Sequence, residues 1–141
     1  MSAESEDREE HFRMRTELFT NFVTREGASL LPGSWGGENG QDRLAYKVVS
    51  NGVILLLGIK LMRGEEGVQL DTDSLGGHMQ LSPSWIEALL VRLGEMHGQE
   101  DAARLIWEAE KDSRLTTAVM ILDADTQKIR LLPVNARTFD A

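Results

Sequence analysis

Two pairs of aspartates, each pair separated by a single residue, are the side chains in this sequence whose types and spacing come nearest to chemistry. In Val119-Met-Ile-Leu-Asp123-Ala-Asp125-Thr126 an apolar run ends on one carboxylate, with a second two residues on. Such a pair could supply a nucleophile and a general acid, provided that other groups held the substrate and stabilised its developing charge. In Asp71-Thr-Asp73-Ser-Leu-Gly76-Gly-His78 two carboxylates at alternate positions precede an imidazole, and together these are donors that a metal ion could use. The remaining histidines, His11 and His97, are too scattered to form a HExxH or a triad pattern with it.

The Asp123 segment resembles the phosphatase motif in which an apolar strand delivers a nucleophilic aspartate and a second aspartate serves as acid. That family carries the motif near the N-terminus, with threonine or valine where this chain has Gln127, and with lysine and acidic motifs further on. Here sixteen residues follow Asp125. Asp and Thr bond their own backbone in tight turns, so a turn over Asp123–Gln127 accounts for the same residues. Asp71, Asp73 and Gly76 resemble the opening of an EF-hand calcium loop, but the fifth position is Leu75 and the twelfth is Ser82, where a bidentate glutamate is required. The Asp-Thr-Gly triplet of retroviral-type aspartic proteases is broken by Asp73. The glycines between residues 33 and 40 follow no strand pattern, and no GxxxxGK[ST] or GxGxxG occurs, so no phosphate cradle is indicated. These residues define no catalytic set, no metal site and no cofactor site.

Composition narrows the function classes further. A chain of 141 residues is of single-domain size and can bury roughly two-thirds of its unfolded surface. Fifteen basic against twenty-three acidic residues give a net charge of -8, which opposes binding to phosphate backbones and to anionic membranes and suits solubility or a basic partner. Apolar runs such as Val53–Leu57 fall far short of the roughly 20 residues of a membrane span. The opening Met1-Ser-Ala-Glu-Ser-Glu-Asp-Arg-Glu-Glu10 has no signal-peptide pattern, and there is no cysteine, so a cytoplasmic protein is expected.

The elements that would position any site follow from periodicity and punctuation. Residues 1–10 read as an acidic, flexible N-terminus whose carboxylates would also suit a helix start. Phe12, Leu18, Phe19, Phe22 and Val23 then recur at helical spacing, predicting a helix over about 6–26 that Gly27 closes. Residues 27–42 hold six glycines or prolines and read as a long loop carrying Leu30, Leu31 and Trp35. Leu44–Val49 and Val53–Leu57 flank Asn51-Gly52, the signature of a type I′ hairpin. The nearly uniform apolarity of the second segment marks it as a central strand. Val68–Leu70 reads as a short third strand, with a return through Met79 and Leu81. Ser82-Pro83 opens a helix with Trp85, Ile86, Leu89, Leu90 and Leu93 on its apolar face, closing near a capping His97. Glu100–Lys111 is a third helix with Ala103, Leu105, Ile106, Trp107 and Ala109 as its buried stripe. Leu115–Leu122 and Lys128–Leu132 are the final strands.

The expected fold is therefore α+β: an antiparallel sheet of five to six strands in the order α-β-β-β-(β)-α-α-β-β, with an N-terminal helix and two central helices packed on it. The domain spans 11–134, with a polar tail over 135–141. Residues 43–97, four strands and a helix with Met79-Gln-Leu81-Ser-Pro-Ser-Trp85 at the junction, resemble the unit of Whirly- and PUR-type single-strand binders. That resemblance implies a nucleic-acid face made of Arg43, Tyr46, Lys47, Lys60 and Arg63. The whole element order is similar to that of type III secretion chaperones, which implies a small, acidic, cytosolic, usually dimeric protein holding an extended partner segment. The leading expectation is a non-catalytic protein-interaction module, an adaptor, secretion chaperone or inhibitor, that uses Leu30, Leu31 and Trp35 to bind another protein or a second copy. Single-strand nucleic-acid binding is the alternative. A small hydrolase or metal-dependent enzyme comes third.

Overall fold

A computed structural model of the chain describes residues 3–37, 42–62, 68–123, 125–126 and 128–134. In chain order the elements are α1 (Ala3–Arg25), β1 (Ser29–Leu30), β2 (Arg43–Val49), β3 (Gly52–Met62), α2 (Pro83–Glu95), α3 (Glu100–Lys111), β4 (Leu115–Asp123) and β5 (Ile129–Val134). The acidic opening run lies within α1, and the helix stops as predicted: Gly27 takes a φ of 71°, and the Ala28 amide returns to the Val23 carbonyl at 2.9 Å. The Ser82 hydroxyl caps α2 by accepting the Trp85 amide at 3.3 Å, with Pro83 in the first turn. Glu100 and Asp101 open α3 and Lys111 closes it, each charge complementing the helix dipole.

The five strands form one sheet in sequence order, β1-β2-β3-β4-β5, so β3 is central, as its apolar run predicts. The sheet is mixed and not antiparallel throughout: β3 and β4 run parallel from Val53↔Leu115 to Met62↔Asp123, whereas the other pairs are antiparallel. The reason is the connection. Two helices between consecutive strands carry the chain from the end of β3 back to its start, and a crossover of that kind delivers a parallel neighbour. The expected strand over Val68–Leu70 with a return through Met79 and Leu81 is absent; these residues are coil and turn, and Val68, Leu70 and Leu81 pack into the core. A two-residue strand, β1, appears instead within the expected loop, pairing Ser29 with Tyr46 and Leu30 with Ala45.

The hairpin forms one residue out of the expected register. Val49 pairs with Gly52, which leaves Ser50 and Asn51 as the turn, and neither has a positive φ. Glycine is needed at 52 for another reason: a Cβ there would lie 2.1 Å from the Arg114 carbonyl oxygen, where the chain enters β4.

Helices cover both faces of β3. On one face α1 inserts Phe19 and Val23 against Leu56, Ile59 and Met120. On the other, Trp85, Ile86, Leu89 and Leu93 of α2 and Ile106 of α3 pack against Leu55, Leu57, Val119 and Ile121. Two expectations for the helices need correction. The buried stripe of α3 is Ala102, Ile106 and Ala109, at spacings of four and three. Trp107 lies about 100° further round and is 51% exposed, its ring covered by the Lys111 ammonium at 5.1 Å. The second helix ends at Glu95, so His97 lies outside its last turn, is exposed, and does not cap it; the Met96 amide bonds the Leu93 carbonyl instead.

Phe19 sits where Gly58 has no side chain. A Cβ at 58 would lie 2.7 Å from two ring carbons of Phe19 and 3.1 Å from the Met120 Cβ. Gly58→Ala is expected to lower unfolding free energy by about 1–3 kcal/mol through overpacking, measured by urea denaturation. Adding Phe19→Leu should shrink that increment, because the two residues share one contact.

Candidate functional site

The residues expected to meet a partner do not share a surface. Leu31 and Trp35 are 1% and 0% exposed and belong to the α2–α3 face of the core, which removes them from any docking surface. Leu30 alone of the three is exposed, at 44%, on the short edge strand β1. The loop is drawn inward because Trp35 is bracketed by hydrogen bonds, its amide to the Asp42 carbonyl at 2.9 Å and the Asp42 amide to the Gly36 carbonyl at 2.8 Å.

The expected nucleic-acid face does not form either. Tyr46 packs toward α2 and α3, whereas Lys47 stands two residues from Ala45 and so faces α1. The Arg43 guanidinium donates to the Gly33 carbonyl at 3.0 Å and the Ser34 hydroxyl at 3.1 Å. Lys60 is buried in an ion pair, and Arg63 lies outside the described residues. With the aromatic ring and the bases divided between faces and the core, no stacking and phosphate-neutralising platform exists among the described residues.

That ion pair is the centre of the molecule's buried polar chemistry. The Lys60 ammonium lies 2.7 Å from Asp42 Oδ2, and both side chains are about nine-tenths buried. Gln80, with no exposed surface, donates from Nε2 to Asp42 Oδ2 at 2.9 Å and to the Trp35 carbonyl at 3.0 Å. Its Oε1 accepts the Asp71 amide at 2.8 Å. Ser74 donates to the Trp35 carbonyl at 3.2 Å and accepts the Trp85 indole N–H at 2.9 Å. Segments 35–42 and 71–80, the end of β3 and the start of α2 are thereby joined in one network. The network does not reach the groove of about 570 Å³ between α2 and the 74–78 turn, which Leu75, Gly76, Ala88, Val91, Arg92 and Glu95 line. Its groups hold backbone in place and face no space for a substrate.

The two aspartate pairs resolve into turns. Asp71 accepts the Asp73 amide on Oδ1 and the Gly37 amide on Oδ2, both at 2.9 Å. These two N–H bonds hold its carboxyl below the ordinary value, with a smaller contribution from Lys60, against an opposing push from burial. Asp123 Oδ1 accepts the Asp125 amide at 2.9 Å and the Thr126 amide at 3.4 Å. Among the described residues no three His, Asp or Glu side chains converge to hold a metal ion.

The surface that sequence reasoning passed over is β5. Every residue from Ile129 to Pro133 is exposed, including Ile129 at 38%, Leu131 at 48% and Leu132 at 37%. By register Ile129 and Leu131 stand opposite Leu122 and Met120 on the α1 face, and Leu132 opposite Val119 on the other. Arg130 is the strand's one charged residue, 3.8 Å from the Asp123 carboxylate of its own chain. A long edge strand of this composition lacks the lysines, bulges or covering segments that usually close an edge, and Pro133 alone interrupts its donors. The signal was legible: five of six residues in Ile-Arg-Leu-Leu-Pro-Val are apolar and do not alternate, yet the strand is the last of the sheet.

Compared with protein-family models, curated proteins and solved structures, the chain matches none.

Two outcomes test the buried network. Lys60→Met, which leaves the Asp42 carboxylate buried without its partner, is expected to cost about 3–5 kcal/mol, and Asp42→Asn in the same chain to return much of it; urea midpoints decide. Below the ordinary carboxyl value of 3.8 the unfolded chain holds a proton at residue 71 that the folded chain lacks. Asp71 therefore adds stability in full above that pH, and the contribution is lost as pH falls toward the lowered folded value. Asp71→Asn should flatten the acid limb of the stability–pH curve.

Proposed function

We propose that this chain is a non-catalytic protein-interaction module of the cytosol, acting as an adaptor, chaperone or inhibitor, and that its partner adds an extended segment to the β5 edge. The observation that carries this reading is the exposure of Ile129, Leu131 and Leu132 on a six-residue edge strand. Strand addition gains main-chain hydrogen bonds along the edge and buries alternate side chains on the two faces, and β5 offers apolar side chains on both. The short edge β1, with Leu30, offers a second and much smaller foothold. The net charge of -8 supports a protein partner over nucleic acid or an anionic bilayer, and no helix of the described residues is long and apolar enough to cross a membrane. The absence of cysteine fits a reducing compartment.

Affinity capture from cells with the full chain, beside Leu131→Lys and with nuclease treatment in both arms, tests the assignment. A lysine on an exposed edge should change stability by no more than about 0.5 kcal/mol while removing the proteins that dock there. Capture of the same set by both chains would place the interaction elsewhere.

A further inference from the structure

The proposed docking edge has a sequence that complements itself, and we infer that the strand completing β5 comes from a second copy of this chain, paired antiparallel about a twofold axis through Leu131. The inference rests on the reading of β5 as an open edge and names its occupant. Two copies of one strand can extend a sheet antiparallel only about an axis normal to it, so that each residue meets one pointing to the same face. With the axis at Leu131 the pairs are Leu131 with itself, Arg130 with Leu132 and Ile129 with Pro133. Leu131, the most exposed residue of the strand at 48%, then lies at the centre. Ile129, Leu131 and Pro133 of both copies form one apolar row on the α1 face. The strand ends where this pairing ends, because the Thr117 hydroxyl takes the Val134 carbonyl and Val134 packs into the α2–α3 face.

Charge selects the occupant. Two copies each carrying -8 repel over most of their surfaces, but β5 contains no carboxylate, and its one cation is already balanced by Asp123. No like charges stand directly opposite in the pairing. A basic extended peptide, which the net charge would otherwise attract, meets Arg130 on this strand and no acidic counterpart. The opposite edge cannot substitute, since β1 pairs over only two residues.

Light scattering and sedimentation of the full chain test this. The expected mass is twice the chain's 15.7 kDa. Leu131→Lys, which sets two ammonium groups face to face on the axis, should weaken pairing at least about a hundredfold. Leu131→Asp should do the same, and an equimolar mixture of the two variants should pair again, because only a residue on the axis meets its own copy. Leu30→Lys at the other edge should remain paired, and each variant should keep the wild-type circular dichroism. A dimer that survives Leu131→Lys, or variants that do not restore each other, would overturn the inference. If the wild-type chain is monomeric but a synthetic peptide of alternating lysine and valine binds it and fails to bind Leu131→Lys, the second copy is wrong and the open edge stands. If it is monomeric and binds no such peptide, both readings fall.

Discussion

A charge carried into the core must find its counter-charge there, and that requirement organises one end of this molecule. Lys60 sits near the end of the most buried strand, where an ammonium without a partner would be costly. Its partner, Asp42, stands at the foot of β2, and a lone carboxylate oxygen would still be under-satisfied. Gln80 supplies the second bond and uses its remaining atoms on the Trp35 carbonyl and the Asp71 amide. Loops that would otherwise pass over the surface are thus brought in, with Leu31 and Trp35 buried as a consequence. The same polar groups that might have been read as a reactive centre are fully engaged in holding backbone.

Covering β3 on both faces fixes where the molecule can still be open. Helix α1 takes one face, and α2 with α3 the other, so the parallel β3–β4 pair lies deep and the sheet has only its two edges left. One edge is blunted by brevity, since β1 is two residues long. The other is not. β5 is joined to β4 by a turn whose carboxylate, Asp123, also balances Arg130, so the hairpin is tied at its tip while its outer side remains unpaired. The exposure of Ile129, Leu131 and Leu132 follows from this topology: these side chains are half covered by β4 and await a neighbour.

The sequence carried the elements better than their connections. Caps and stops read well because they are local physics: Ser82-Pro83, Gly27 and the acidic start of α3 act within one turn. The uniform apolarity of Val53–Leu57 also announced a central strand, since burial on both faces leaves no room for alternation. The parallel pairing of β3 with β4 depends on where two helices deposit the chain, which no local pattern encodes. Gly52 misled for a related reason: the constraint on it comes from the Arg114 carbonyl, distant in sequence, and not from its own turn. For the site, a Trp in a glycine-rich loop looked like a free anchor because its tethers, Asp42, Ser74 and Gln80, lie at 7, 39 and 45 residues' separation. Lys60 looked like a surface base until its counter-charge was in place.

An open edge ordinarily invites unlimited association, and the asymmetry between the two edges decides against that here. Growth of a sheet beyond a pair requires each copy to offer two edges of useful length, so that one engages the preceding copy and the other the next. This chain has one such edge. Twofold pairing through β5 uses it on both copies at once and leaves only the two-residue β1 strands at the outer limits, too short to nucleate a further addition. Pro133 reinforces the limit, because without an N–H it cannot donate to a longer or shifted ladder. The acidic charge distributed over the rest of the surface then opposes side-by-side stacking of the pairs. A strand that would be an aggregation hazard on a symmetric sheet becomes, on this one, an interface that closes after a single use.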